Sequence, residues 1–278
     1  MRLLWWARSN PLAWWWFLLT VVSGGNIALW FLLYHRFHIQ PPGSLASASD
    51  TRLMFFLCAA YVFGCAFRSV LPRADVQRIC LFDTWLSSVV VGRSVATVAE
   101  ICFAAQWAMV LHQLSGMAGA DTSLAIAWAI VPLILVAQCC SWYGVLTINY
   151  LANAIKNSIW AAAYLGAGVG FCRLLLEFDG LLHLAVIVAV TGIAGYLAFL
   201  ITIDIPMYLG RWQNGLTVGS KGLTPLEGLR DASTRWVVTH DFSQWKDEIP
   251  WMSLYFTAAV WASLALCLVY SLADQLPR

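Results

Sequence analysis

Leu124–Leu146 reads LAIAWAIVPLILVAQCCSWYGVL, and none of its residues is charged. A bilayer core about 30 Å thick is crossed by about 20 apolar residues in a helix, so this stretch is long enough to span it. Working outward, six further segments qualify on the same reading: Leu12–Tyr34, Leu53–Leu71, Ser94–Leu114, Ala154–Leu176, Leu181–Ile203 and Trp251–Leu272. Ile79–Val91, just before the third, is also apolar. The first has Arg2 and Arg8 ahead of it and Ser23-Gly24-Gly25 within it, as a secretory leader would, but its apolar run continues to Tyr34 and predicts a retained span.

Composition agrees. Of 278 residues, 61% are hydrophobic and 11% charged, where a soluble domain carries about 25% charged residues. Such a chain lacks the polar surface of a soluble enzyme, the low hydrophobicity of a disordered one and, at net charge +2, the basic surface of a nucleic-acid binder. The expected fold is all-α: a polytopic membrane protein, residues 1–278 forming a single bundle of seven transmembrane helices with two short amphipathic surface helices.

Seven spans divide the 16 Lys and Arg into 12 on the N-terminal side and four, Arg36, Arg52, Arg173 and Arg278, on the other. Basic residues collect on the cytoplasmic side, which predicts an integral, multi-pass protein with its N-terminus in the cytoplasm and its C-terminus outside. Many of the 16 Trp, among them Trp5, Trp6, Trp14, Trp15, Trp16, Trp30 and Trp251, sit near span ends, where an aromatic belt is expected. The eight Cys form no CxxC and read as small membrane-embedded residues.

The longest stretch outside the spans is the cytoplasmic loop 211–250. Within it Thr224-Pro225-Leu226-Glu227 has the order of a capping box, with Thr224 as N-cap, Pro225 at N1 and Glu227 at N3. A short helix over 224–240 is expected, with Leu226, Leu229, Ser233 and Trp236 on one stripe. Residues 75–88 carry Ile79, Phe82 and Leu86 at helical spacing and predict a second. Besides the lipid bilayer, these surface helices are the expected docking places for a protein partner. The stretch 40–50 reads as a plain connection.

Ionisable groups at membrane depth are expensive and point to function. Glu100 lies seven residues into the third span and Gln106 lies deeper. Gln138 sits in the fourth span, and Asp204 lies seven residues before Arg211, roughly 10 Å at the usual helical rise. Asn149, Asn153 and Asn157 fall at i, i+4 and i+8, one face of a helix, bordered by Lys156. Tyr208 follows Asp204 by one turn. These residues come from four helices and map to one half of the membrane. Two readings stand: a polar pocket open to the cytoplasm with Gln138 at its floor, or a hydrogen-bonded network that holds the bundle together.

Four of the five His, His35, His38, His112 and His183, map to the opposite face, where imidazoles with Glu177 and Asp179 nearby suit a metal or haem. No GxSxG, HExxH or phosphate-loop pattern is present. The placement of the polar groups leaves three functions open: transport or conduction of a small polar or charged solute, a membrane enzyme acting on a lipid-like substrate, or a non-catalytic subunit, receptor or assembly factor.

Overall fold

The computed structural model describes residues 10–39, 48–218 and 222–273. Arg2, Trp5, Trp6, Arg8, Lys221, Arg278 and most of the connection at 40–50 lie outside them, as does the side chain of His38.

Long apolar runs with no internal stop give long helices. In chain order these are α1 (Pro11–Ile39), α2 (Ala48–Val70), then a strand pair β1 (Arg73–Ala74) and β2 (Ile79–Cys80), followed by α3 (Val89–Ala118), α4 (Asp121–Thr147), α5 (Tyr150–Cys172) and α6 (Gly180–Phe199). A single π-helical turn, Leu200–Asp204, joins α6 to α7 (Ile205–Val218) without a break. The chain then forms α8 (Pro225–Thr234), β3 (Val237–Val238), the one-turn α9 (Phe242–Trp245), α10 (Ile249–Phe256) and α11 (Ala258–Leu272).

Among the described residues, six helical stretches are long and apolar enough to cross a membrane: Pro11–Phe37, Ser49–Val70, Val89–Ala118, Asp121–Thr147, Gly180–Thr217 and Ile249–Leu272. The protein is therefore an integral, multi-pass membrane protein of all-α class. The seventh expected span, 154–176, corresponds to α5, which has 23 residues but places Asn153, Lys156 and Asn157 in its first two turns and is not among the six. The third span starts earlier than expected, at Val89, capped by the Ser88 hydroxyl. The sixth runs well past Ile203 to Val218, so the loop expected to start at Arg211 starts later.

The helix α3 is central, packing on α2, α4, α5 and α11, while α5 packs along α4 and against α6 and α7. The outward surface is apolar, with Phe56, Trp128 and Leu176 exposed as lipid-facing residues would be. Inside, close helix approach rests on small residues: a Cβ on Gly64 would stand 3.0 Å from the Ala99 Cβ.

The helix expected over 75–88 does not form. Here β1 pairs antiparallel with β2, β2 pairs parallel with β3, and a 3-10 turn follows at Trp85–Ser87. Arg78 sits at φ 59, a conformation that ends any helix. Its guanidinium bonds the Asp75 carbonyl nearby (2.7 Å) and ties the segment to two distant ones, through Asp231 Oδ2 (2.9 Å) and the Val145 carbonyl (2.9 Å). In the second stretch a helix is present, Pro225–Thr234, with the full Thr224–Glu227 capping box, and it ends short of His240. It docks through Gly228 and Ala232, and not through the expected stripe; Leu226 is 79% exposed. A Cβ on Gly228 would collide with the Leu146 carbonyl, so only glycine allows the approach.

Candidate functional site

Arg93 stands one turn into α3, two turns before Glu100 on the same face. Its Nη2 donates to Glu100 Oε1 at 2.7 Å and to Gln138 Oε1 at 3.0 Å, and Gln138 Nε2 donates to Glu100 Oε2 at 2.7 Å. Both Glu100 oxygens are thus occupied, and all three side chains are buried. A closed triad of this kind offsets the burial of two charges through hydrogen bonds on both partners.

Asp75, carried under the bundle by the β1–β2 turn, gathers three arginines: Arg73 at 2.8 Å, Arg68 at 3.6 Å and Arg93 at 3.9 Å. The guanidiniums outweigh burial and hold its carboxyl down at about 2. Arg73 also donates to the Ser87 carbonyl. At the same end Glu248 accepts from Gln77 (2.8 Å), Arg211 (3.2 Å) and Trp251 (2.6 Å). Burial nevertheless pushes its carboxyl up.

These groups surround a cavity of about 120 Å³. Seven acidic or basic side chains line it: Arg68, Arg93 and Lys156, against Asp75, Glu100, Asp204 and Glu248. Asn153, Asn157, Tyr196, Tyr208 and Tyr255 complete its polar wall. The π-turn positions Asp204. Tyr196, Leu200, Asp204 and Tyr208 are spaced by four, and a regular α-helix drifts about 40° per such step, which would carry the last of them off the face. One wider turn absorbs part of that drift.

Lys156 and Asp204 differ from the other charges. Asn157 Nδ2 donates to Asp204 Oδ2 at 2.6 Å, and Oδ1 takes no hydrogen bond among the described residues. Lys156 Nζ makes no hydrogen bond or ion pair among the described residues; Glu100 and Asp204 act on it only through space. The cavity therefore holds one ammonium and one half-used carboxylate.

Of the residues singled out from sequence, Glu100, Asn153, Lys156, Asn157, Asp204 and Tyr208 meet at this cavity. Gln138 lies behind Glu100. Asn149 is elsewhere: its side chain caps α5 by accepting from the Ala152 amide. Gln106 is also elsewhere, buried in a separate knot where Ser263 Oγ donates to its Oε1 at 2.6 Å and its Nε2 faces Met54 Sδ at 3.5 Å. Arg68, Asp75, Arg93, Glu248, Tyr196 and Tyr255 were not anticipated. Arg93 was within reach of a sequence reading, two turns from Glu100; Asp75 and Glu248 arrive by loop folding that local spacing does not encode.

Among the described residues the histidines do not assemble, and the His38 side chain lies outside them. His35 is exposed on α1, His112 meets the Trp128 ring edge at 5.4 Å, and His183 Nδ1 bonds the Leu175 carbonyl at 2.7 Å. Among the described residues, no group of three or more His, Cys, Asp or Glu could hold a metal ion.

No family model, curated protein or solved structure matches the chain.

Proposed function

We propose that the chain is a seven-span membrane transporter of a small polar or charged solute, with this cavity as its solute site and the cavity mouth facing the cytoplasm. The supporting observation is the uneven use of charge. Asp75, Glu100 and Glu248 are tied into ion pairs that build the walls, whereas Lys156 and Asp204 face the cavity without a full partner. Two uncommitted charges in a structural network would be an unexplained burial cost; in a transport site they are the groups that meet solute and proton. Asp204 is the proton-carrying group, faced by Asn157 and Lys156 from α5 and by Arg211 from its own helix. Glu100, bonded on both oxygens, holds the wall. The π-turn under Asp204 supports the reading, because single π-turns inside α-helices are frequent at functional sites. The seventh span is α5, and the basic end is cytoplasmic.

The test is reconstitution into liposomes carrying a pH-sensitive dye, with a panel of small carboxylates, phosphate and amines added under an imposed pH gradient. Solute-dependent proton movement is expected in the wild type and a loss of about tenfold or more in Asp204→Asn, with unchanged thermal unfolding. Full activity in Asp204→Asn overturns the reading.

A further inference from the structure

Three hydrogen-bond donors on the cavity wall have no acceptor among the described residues, and their chemistry points to a ligand. Arg68 Nε and the Tyr255 hydroxyl are both buried with no hydrogen-bond partner, and both residues line the cavity. Lys156 Nζ faces the same space without a bond among the described residues. On the acceptor side, both oxygens of Glu100 and of Glu248 are taken, by Arg93 and Gln138 and by Gln77, Arg211 and Trp251, while Asp75 accepts from Arg73 through Oδ1 and its Oδ2 is held by the Arg93 ion pair at 3.9 Å. Buried donors are almost always satisfied in folded proteins, so these two, with the part-buried Lys156 ammonium on the same cavity, call for an acceptor supplied from outside the chain. Two of the three belong to cations, and a charged acceptor suits them better than a neutral one.

We infer that the ligand of this cavity is a small oxyanion, a carboxylate or phosphate group held by Lys156 Nζ with Arg68 and Tyr255 beside it. The inference rests on the transport reading only in taking the cavity as the ligand site; it adds the ligand's charge and chemistry. The volume, about 120 Å³, suits a single such group and not a long organic molecule. Asp204 does not oppose this: it lies on the π-turn, its second oxygen unbonded, and when protonated it too becomes a donor to the anion. The same oxyanion chemistry is carried by a free anion and by a lipid headgroup phosphate, and the experiment separates the two.

Equilibrium binding to the purified full chain in neutral detergent is measured calorimetrically with inorganic phosphate, acetate and, as the opposite charge, tetramethylammonium. A parallel arm uses nanodiscs of phosphatidylcholine with and without phosphatidylglycerol. Phosphate or acetate is expected to bind and tetramethylammonium not to. Lys156→Gln is expected to weaken binding by about tenfold or more, Lys156→Arg to restore most of it, and Tyr255→Phe to weaken it by about threefold. Because Lys156 has no bond to lose, Lys156→Gln is expected to keep the wild-type melting temperature, which separates a lost ligand contact from a lost fold. Binding of phosphatidylglycerol alone, abolished in Lys156→Gln, supports the same chemistry with a headgroup as its source. The inference is overturned if no oxyanion binds, if Lys156→Gln binds as wild type, or if the cation binds instead. Anion binding without solute-driven proton flux would sustain it and sink the transporter; flux of an amine that needs Asp204, without anion binding, would do the reverse.

Discussion

Asp75 shows how single residues carry this site. Three guanidiniums converge on one carboxylate, and its folded value of about 2 lies below the ordinary 3.8. A lowered value means the folded state favours the charged form. The stabilisation is therefore complete above about pH 4 and is lost as pH falls toward 2. The linked stabilisation is on the order of 2 kcal/mol. The thermal midpoint of the detergent-solubilised protein is expected to fall across that window, and Asp75→Asn is expected to start from a lower midpoint and lose the dependence there. An unaltered profile in Asp75→Asn would show that the arginine cluster does not hold the cap. Legibility differs between residues for the same physical reason. Glu100, Lys156 and Asp204 stood out in sequence because a charge inside an apolar helix has no local explanation. Asp75 and Glu248 lie in polar stretches where a charge needs none, so their burial against the bundle left no mark. Gln106, though as apolar in its surroundings as Glu100, faces α11 and bonds Ser263, since depth along a helix does not state which neighbour a side chain meets.

Elements were legible where a single periodicity governed them. The apolar spans became helices, and the Thr224–Glu227 pattern became a complete capping box. The stretch 75–88 misled because Ile79, Phe82 and Leu86 do recur at helical spacing, yet the buried bonds of Arg73 and Arg78 and the pairing of Ile79–Cys80 with Val237–Val238 outweigh a surface helix. The π-turn had no sequence signal, and it carries a prediction of its own. Thr202 lies within it, exposed, its hydroxyl bonded only to the Ala198 carbonyl. Deleting Thr202 leaves six residues between Tyr196 and Asp204, a spacing of seven that keeps both on one face of an unbroken α-helix. The midpoint of thermal unfolding is expected to stay level or rise, while solute-driven proton flux falls because the π-turn is gone. A protein that unfolds on this deletion would mean the turn serves the fold and not the transport cycle.

For the whole molecule, the count of crossings turns on α5. Six helices cross on composition alone, and α5 fails that measure because its first two turns face the cavity. Its geometry argues for a crossing. It leaves α4 through a tight turn at Ile148, with φ 55, packs back along α4 and runs 23 residues, about 34 Å at the helical rise, which matches a bilayer core of about 30 Å. Counted as a span, α5 puts Arg173 at the end opposite Asn149. Nine of the twelve Lys and Arg in the described residues then fall at the end that carries β1–β3 and α8, with Arg36, Arg52 and Arg173 at the other. That asymmetry favours the proposed orientation, with the basic end and the cavity mouth in the cytoplasm. Reporter fusions test both statements together. Truncation after Leu223 with a fluorescent reporter that folds only in the cytoplasm is expected to glow, and truncation after Leu176 with a phosphatase active only outside is expected to be active. If the Leu176 fusion is inactive and its fluorescent counterpart glows, α5 does not cross, and Lys156 would then reach its cavity from a helix folded back into the bundle from the cytoplasmic side.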